Sequence, residues 1–346
     1  MQRTNYYSYL RAMACAAIVL LHTVDSAVLM YDGQISVTAR TVSMAVVYCM
    51  MWAVPAFVMV TGALLLDPAR EIPMKKLYGK YVLRIVLALF LFALVFRIFD
   101  LGMNHEAFTV GSVLTGLWNA LTGKSWAHLW YLYLIIGLYL LLPAYRKISE
   151  HSSDKEIRYL LGIYALFLSL LPLTKLFGVE TAFYLHVSTI YPFYLFLGWA
   201  IAADKIRISR SNGWILLLLG TLGLISTTVL RYRGGMEDLQ ALLNYSSFYV
   251  IMMCMGIMPL MKGTEGRDGG ISKILLAIDK SSFGIYLIHM IFLRLILRYW
   301  EVNPYSYGWW MMILIWLGVF LVSWLCIALL KKIPGLKKYC DRHGPP

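Results

Sequence analysis

The stretch "LRAMACAAIVLLH", residues 10–22, is an apolar run opened by Arg11 and closed by His22. With its neighbours the apolar character extends over about 9–30, enough helical rise to cross a hydrocarbon core roughly 30 Å thick. Nine more segments of this kind follow, at roughly 44–66, 81–99, 128–145, 159–177, 186–203, 213–231, 244–261, 281–299 and 309–330. "LPLTKLFG" and "IDKSSFG" blur the ends of the fifth and the ninth. The composition agrees: 346 residues that are 60% hydrophobic and 14% charged, with a mean hydropathy of +0.68, do not describe a soluble domain of this length. The expected fold is all-α, a polytopic membrane helical bundle of about ten transmembrane helices forming one domain over 1–346 with a short tail, 331–346.

A net charge of +13 raises the question of nucleic acid, but the basic residues come in short bursts between apolar runs and build no basic face. No nucleic-acid partner is expected; the bilayer accounts for the charge. Basic residues crowd the N-terminus, segments 67–80, 146–158, 204–212 and 262–280, and the C-terminus. The alternate segments carry only Arg40, Arg97, Lys124, Lys175, Arg231, Arg233, Arg294 and Arg298. The positive-inside rule then places both termini in the cytoplasm, which an even number of spans requires, and a bacterial inner membrane is the expected location. Residues 1–27 resemble a cleaved signal peptide only weakly, because apolar character resumes through Val28–Met30 and no small-x-small site follows. The five cysteines, Cys15, Cys49, Cys254, Cys326 and Cys340, show no metal-ligand spacing and read as small apolar fillers. No internal repeat or soluble domain interrupts the bundle.

Arg11 and His22 are eleven residues apart. At about 100° per residue they return to within about 20° of one direction, separated by a rise of about 16 Å. Arg11 therefore stands at the inner mouth and His22 beyond mid-depth on the same face. Asp25, three residues on, can accept the second imidazole N–H and fix the tautomer. Alone, Arg11 is a snorkelling charge. An imidazole within a span is costly and more often marks a pathway or reaction centre. His289, in "SSFGIYLIHM" with Tyr286 three residues earlier, is a second histidine at comparable depth, and two such groups suit proton transfer. Arg84, with Lys75, Lys76 and Lys80 before it, can contribute to a cationic pocket for phosphates at the inner mouth.

These residues resemble the acyltransferase-3 family of integral membrane acyltransferases over nearly the whole chain. Arg11 to His22 is similar to that family's opening pattern of a basic residue, ten residues and a histidine. "VPAFVMVTGALLL" (54–66) is similar to its second-span Pro, Phe and Ser/Thr-Gly pattern. "HLWYLYLIIGLYLLLP" (128–143) resembles its Trp-rich fourth span, and "SSFGIYLIH" (281–289) its late Ser-x-Gly-x-Tyr-x-x-His pattern. One departure is visible. The family often has two arginines separated by two residues at the start of the third span; here Tyr81 stands at the first place and Arg84 at the second, and the adjacent Lys80 is a point charge without a bidentate fork.

The resemblance implies transfer of an acyl group, commonly acetyl from acetyl-CoA, to a hydroxyl of an envelope glycan, lipid-linked sugar or related small acceptor. No permanently bound cofactor is implied; acyl-CoA is the donor substrate, held by Arg11, Arg84 and Lys80. His22 is expected as general base, helped by Asp25, with Tyr286, His289 or Trp130 as oxyanion donors, while an acyl-histidine route stays open. Trp130 and Tyr131 are candidate acceptor contacts, although aromatic belts explain most residues of this kind at span ends. Arg294 and Arg298 can meet an anionic acceptor but read more simply as snorkelling charges. "FTVGSVLTGLWNALTG" (108–123) reads as an amphipathic segment on the outer interface or folded back over the bundle. The rival class is a proton-coupled transporter or lipid-linked-sugar flippase, disfavoured by the lack of a repeat. A homo-oligomer is compatible with the sequence.

Overall fold

The structure, a computed structural model, describes residues 5–179, 189–266 and 269–333. Part of the expected sixth span (186–188), Arg3, Cys340 and most of the tail lie outside them. The described residues form helices and connecting turns with no strand.

The helices are α1 (Asn5–Tyr31), α2 (Val37–Cys49), α3 (Ala53–Leu65), the single turn α4 (Met74–Lys76), α5 (Leu83–Met103), α6 (Val110–Leu121), α7 (Trp130–His151), α8 (Asp154–Ala165), α9 (Tyr191–Ala202), α10 (Arg210–Gly234), α11 (Phe248–Lys262), α12 (Gly270–Arg294) and α13 (Trp309–Leu330). Among the described residues, eight helical stretches are long and apolar enough to cross a membrane, and the chain is a multi-pass membrane protein. The expected sixth and eighth spans correspond to the shorter α9 and α11. Residues Tyr191–Ile201 of α9 are buried without exception, so its uniform apolarity answers to protein on all sides.

α1 is the axis of the bundle, in contact with α2, α3, α11, α12 and α13. Its apolar interior therefore meets other helices more than lipid. Its first turn is held by Glu265, whose two carboxylate oxygens accept the Asn5 and Tyr6 N–H groups at 3.0 and 3.2 Å. A negative group there meets the positive end of the helix dipole and satisfies two orphan donors. The second expected span is broken between Cys49 and Ala53. Pro55 has no N–H to return to the carbonyl of Met51, and the chain restarts as α3. Arg146 on α7 closes the far end of α3 by donating to the carbonyls of Leu65, Asp67 and Arg70.

Glycine sets two of the closest contacts. Gly62 of α3 and Gly198 of α9 face the backbone of the opposite helix at Leu195 and Met59, where an added Cβ would overlap main-chain atoms. Gly256 of α11 meets Gly213 of α10 in the same manner. Such contacts let helices approach where no aqueous hydrophobic effect drives them together.

Two boundaries differ from the sequence expectation. The segment 262–280, expected as a loop, is helical from Gly270, because Asp279 is neutralised inside the bundle rather than solvated outside it. The fifth span begins earlier than expected, at Asp154 rather than near 159, and ends at Phe177 as expected, before Gly178, whose φ of +69° suits glycine. α6 forms at the expected amphipathic segment. Ser112, Gly116 and Ala120 are buried while Val110, Leu114, Trp118 and Leu121 are exposed, a pattern stable only in apolar solvent. Tyr133 ties it to α7 by donating to the Ala120 carbonyl.

Candidate functional site

A cavity of about 150 Å³ opens between α1, α3, α5, α7 and α12. Arg11, Tyr81 and Arg84 line it toward the end that carries Asn5, and Ile18, Tyr131 and Tyr286 line it deeper in the bundle. Its walls between are largely apolar, with Phe57, Ile135 and Tyr139 among them. Ile18 precedes His22 by one helical turn on α1, about 6 Å of rise, and Tyr286 precedes His289 by nearly one turn on α12. The α1–α12 contact therefore brings both histidines together just beyond the cavity.

His22 Nδ1 lies 2.8 Å from His289 Nε2, with the rings nearly parallel at a centroid distance of 5.0 Å. His289 Nδ1 lies 3.1 Å from the carbonyl of Ile285, one turn back. A carbonyl only accepts, so His289 carries its proton on Nδ1 and its Nε2 is a bare acceptor. It follows that His22 donates from Nδ1 and keeps a lone pair on Nε2. The hydrogen-bond network thus assigns both tautomers. His289 is fully buried, while His22 retains some exposure.

Asp25 does not take the place foreseen for it. The Nδ1 of His22 meets His289, and no hydrogen bond joins Asp25, half-buried, to His22 among the described residues. A helix face shows which residues are neighbours along one helix; it does not show that an imidazole from another helix comes closer.

Arg11 is buried and held bidentate by Asp279, Nε to Oδ1 at 2.7 Å and Nη2 to Oδ2 at 3.2 Å, with a further bond from Nη2 to Ser8 Oγ at 3.4 Å. Its charge is thus compensated where it lines the cavity. Arg84 also lines the cavity, its guanidinium carbon 5.5 Å from the Phe283 ring centroid. Lys80 is exposed in the turn before α5 and is not among the lining residues; Tyr81 is. The departure at Tyr81 therefore puts a phenol in the wall where the family often has a guanidinium.

Tyr286 donates to the carbonyl of His128, and His289 uses both ring nitrogens in the chain above. Neither has a proton to spare for an oxyanion. Trp130 stands outside the cavity, packed against Tyr191 and Tyr245. Tyr131 lines the cavity, and its hydroxyl makes no hydrogen bond with the described residues.

Sequence reasoning singled out neither Asp279 nor His128. His128 is buried against Phe96, Trp126, Tyr286 and His289, with ring centroids 5.2–6.1 Å away. Its Nε2 reaches the Leu287 carbonyl at 3.4 Å and its Nδ1 has no partner among the described residues. The histidine was visible at the head of "HLWYLYL", but it falls at a span boundary where an imidazole is cheap. Arg294, considered above for an anionic acceptor, instead bonds Asp100 at 2.7 Å and lies 3.6 Å over the Trp126 ring, whose Nε1 donates to the other Asp100 oxygen at 2.8 Å. That clamp braces the aromatic wall around His128. No group of three or more His, Cys, Asp or Glu side chains able to hold a metal ion occurs among the described residues.

The family model described as an acyltransferase domain, that of the acyltransferase-3 family, matches residues 4–331. No curated protein and no solved structure matches the chain. With a model covering nearly its whole length, and a helical bundle built around the Arg11–His22 stretch, the chain belongs to the acyltransferase-3 family of membrane acyltransferases.

Proposed function

We propose that the protein transfers an acyl group, acetyl in the simplest case, from acyl-CoA to a hydroxyl of an envelope glycan, lipid-linked sugar or similar small acceptor. The observation that carries this reading is the hydrogen-bond chain from the Ile285 carbonyl through His289 to His22, which leaves the His22 Nε2 lone pair as a base one turn beyond the cavity. Family membership favours transfer over transport.

Acyl-CoA enters from the cytoplasm, at the Asn5 end. Arg84 and the mobile charge of Lys80 draw its phosphates to the mouth, and the apolar walls accept the pantetheine arm. Arg11, already neutralised by Asp279, orients the lining at the mouth and adds little net charge. The thioester carbonyl then rests beside Tyr131, whose hydroxyl donates to the oxyanion. His22 Nε2 removes the proton of the acceptor hydroxyl as its oxygen attacks. The tetrahedral intermediate collapses with cleavage of the C–S bond, and the imidazolium returns the proton to the departing thiolate. His289 accepts from His22 Nδ1 throughout, and that bond strengthens when His22 is positively charged.

The test is CoA release and acyl transfer by the purified protein in nanodiscs. His22→Ala is expected to abolish turnover while acetyl-CoA binding, followed by calorimetry, persists. An unchanged turnover in that variant would remove His22 from the mechanism.

A further inference from the structure

The cavity stops one helical turn short of the base. His22 is not among the residues that line it, whereas Ile18 is. Ile18 is 6% exposed, and it stands four residues before His22 on α1, on the same face and about 6 Å away along the axis. Three aromatic rings complete this floor. The Tyr131 ring of α7 lies 6.3 Å from that of Phe57 on α3 and 5.7 Å from that of Tyr286 on α12, centroid to centroid, and all three residues line the cavity.

The floor is stiff. Ile18 is β-branched, so within a helix its side chain keeps essentially one χ1 rotamer. Tyr286 is anchored by its hydroxyl, which donates to the His128 carbonyl. Between the floor and the mouth the free space is about 150 Å³. An apolar cavity of that size takes about six carbon-sized atoms. An acetyl group, its sulfur and the first two carbons of the donor arm fill it.

We propose that Ile18, set among these rings, is the stop that fixes the length of the transferred acyl group: acetyl fits, and chains of four carbons or more do not. The inference rests on the acyl-transfer reading above. The reach of the base supplies the reason. An acceptor oxygen lies about 3 Å from His22 Nε2 as it gives up its proton, and the carbonyl carbon that it attacks lies about 3 Å beyond. Together these distances match the one turn between His22 and Ile18, so only a carbonyl seated at the level of Ile18 is attacked. Each added methylene lengthens the acyl group by up to about 1.5 Å and, against a stiff floor, drives the carbonyl toward the mouth. A misplacement of about 1 Å already costs about a hundredfold in rate. Ile18 is the floor residue on the same helix face as the base, and shortening it opens the space in that direction.

The test is CoA release by the full chain in nanodiscs from acetyl-, propionyl- and butyryl-CoA, with glycerol as a small hydroxyl acceptor. The parent is expected to lose about tenfold or more in kcat/KM with each added methylene. Ile18→Val trims one methyl and keeps the branched shape, whereas Ile18→Ala removes the stop. The ratio of kcat/KM for butyryl-CoA to that for acetyl-CoA is expected to rise about tenfold or more in Ile18→Ala, with Ile18→Val between it and the parent. Loss of packing alone lowers turnover of both donors and leaves the ratio where it was. Equal turnover of the three donors by the parent, or a ratio unchanged in both variants, would overturn the stop and leave the acyl-transfer reading standing. Absence of CoA release from every donor would overturn that reading, and the stop with it.

Discussion

Replacing Asp279 by alanine leaves the Arg11 guanidinium inside the bundle without its bidentate partner. Asp279 is fully buried and the Arg11 side chain is 8% exposed, so neither bulk water nor salt can substitute for the carboxylate. Breaking a buried pair by removing one partner typically costs about 3–5 kcal/mol, because the surviving charge stays desolvated. That corresponds to a fall of two to three and a half orders of magnitude in the ratio of folded to unfolded protein. Asp279→Asn keeps an acceptor for one N–H and is expected to lose less. The decisive variant is Arg11→Met with Asp279→Leu, which removes both charges and fills the space with apolar atoms. Its stability is expected within about 1 kcal/mol of the parent, since replacing a whole buried pair is often neutral. Reversible unfolding in a defined detergent mixture, followed by circular dichroism, gives all three values, and a double-mutant cycle isolates the coupling. If Asp279→Ala were as stable as the parent, the pair would not be holding α1 to α12, and the position of Arg11 at the cavity would need another cause.

Further outcomes follow from the same geometry. His289→Phe removes the acceptor of the His22 Nδ1–H while keeping an aromatic ring, and kcat is expected to fall by about two orders of magnitude with little change in KM for acyl-CoA, because a donor loses its buried partner and the base loses its tautomer. Arg84→Gln is expected to do the opposite, raising KM for acyl-CoA about tenfold at nearly unchanged kcat in steady-state assays. Gly198→Leu drives a side chain into the main chain of α3 at Met59, and thermal unfolding is expected to show a loss of several kcal/mol or failure to insert. Arg294→Met removes the bond to Asp100 and the contact over Trp126, and is expected to lower stability by about 1–3 kcal/mol without changing acyl-CoA binding.

The sequence by itself determined the class of fold and one face of the site. Apolar runs of spanning length leave helices as the way to satisfy backbone polar groups in lipid, and the 3.6-residue period places Arg11 and His22 on one stripe whatever surrounds them. The intramembrane imidazoles of His22 and His289 stood out because such groups are too costly to keep without a use. What only the tertiary structure decided is pairing across distance. Asp279 lies in the segment 262–280 expected as a loop and was not singled out there; its partner, 268 residues away, meets it only in the packed bundle. His128, not singled out in the sequence, is enclosed only once Phe96, Trp126, Tyr286 and His289 pack around it, and Asp25 read as the partner of His22 until His289 came closer from α12. The same holds for Lys273 and Lys280 of α12 and Lys331 just after α13, far apart in the chain yet beside one groove. Hydropathy and periodicity act within a helix and are written locally; hydrogen bonds and ion pairs act over about 3 Å between helices, and their partners exist only once the helices have packed.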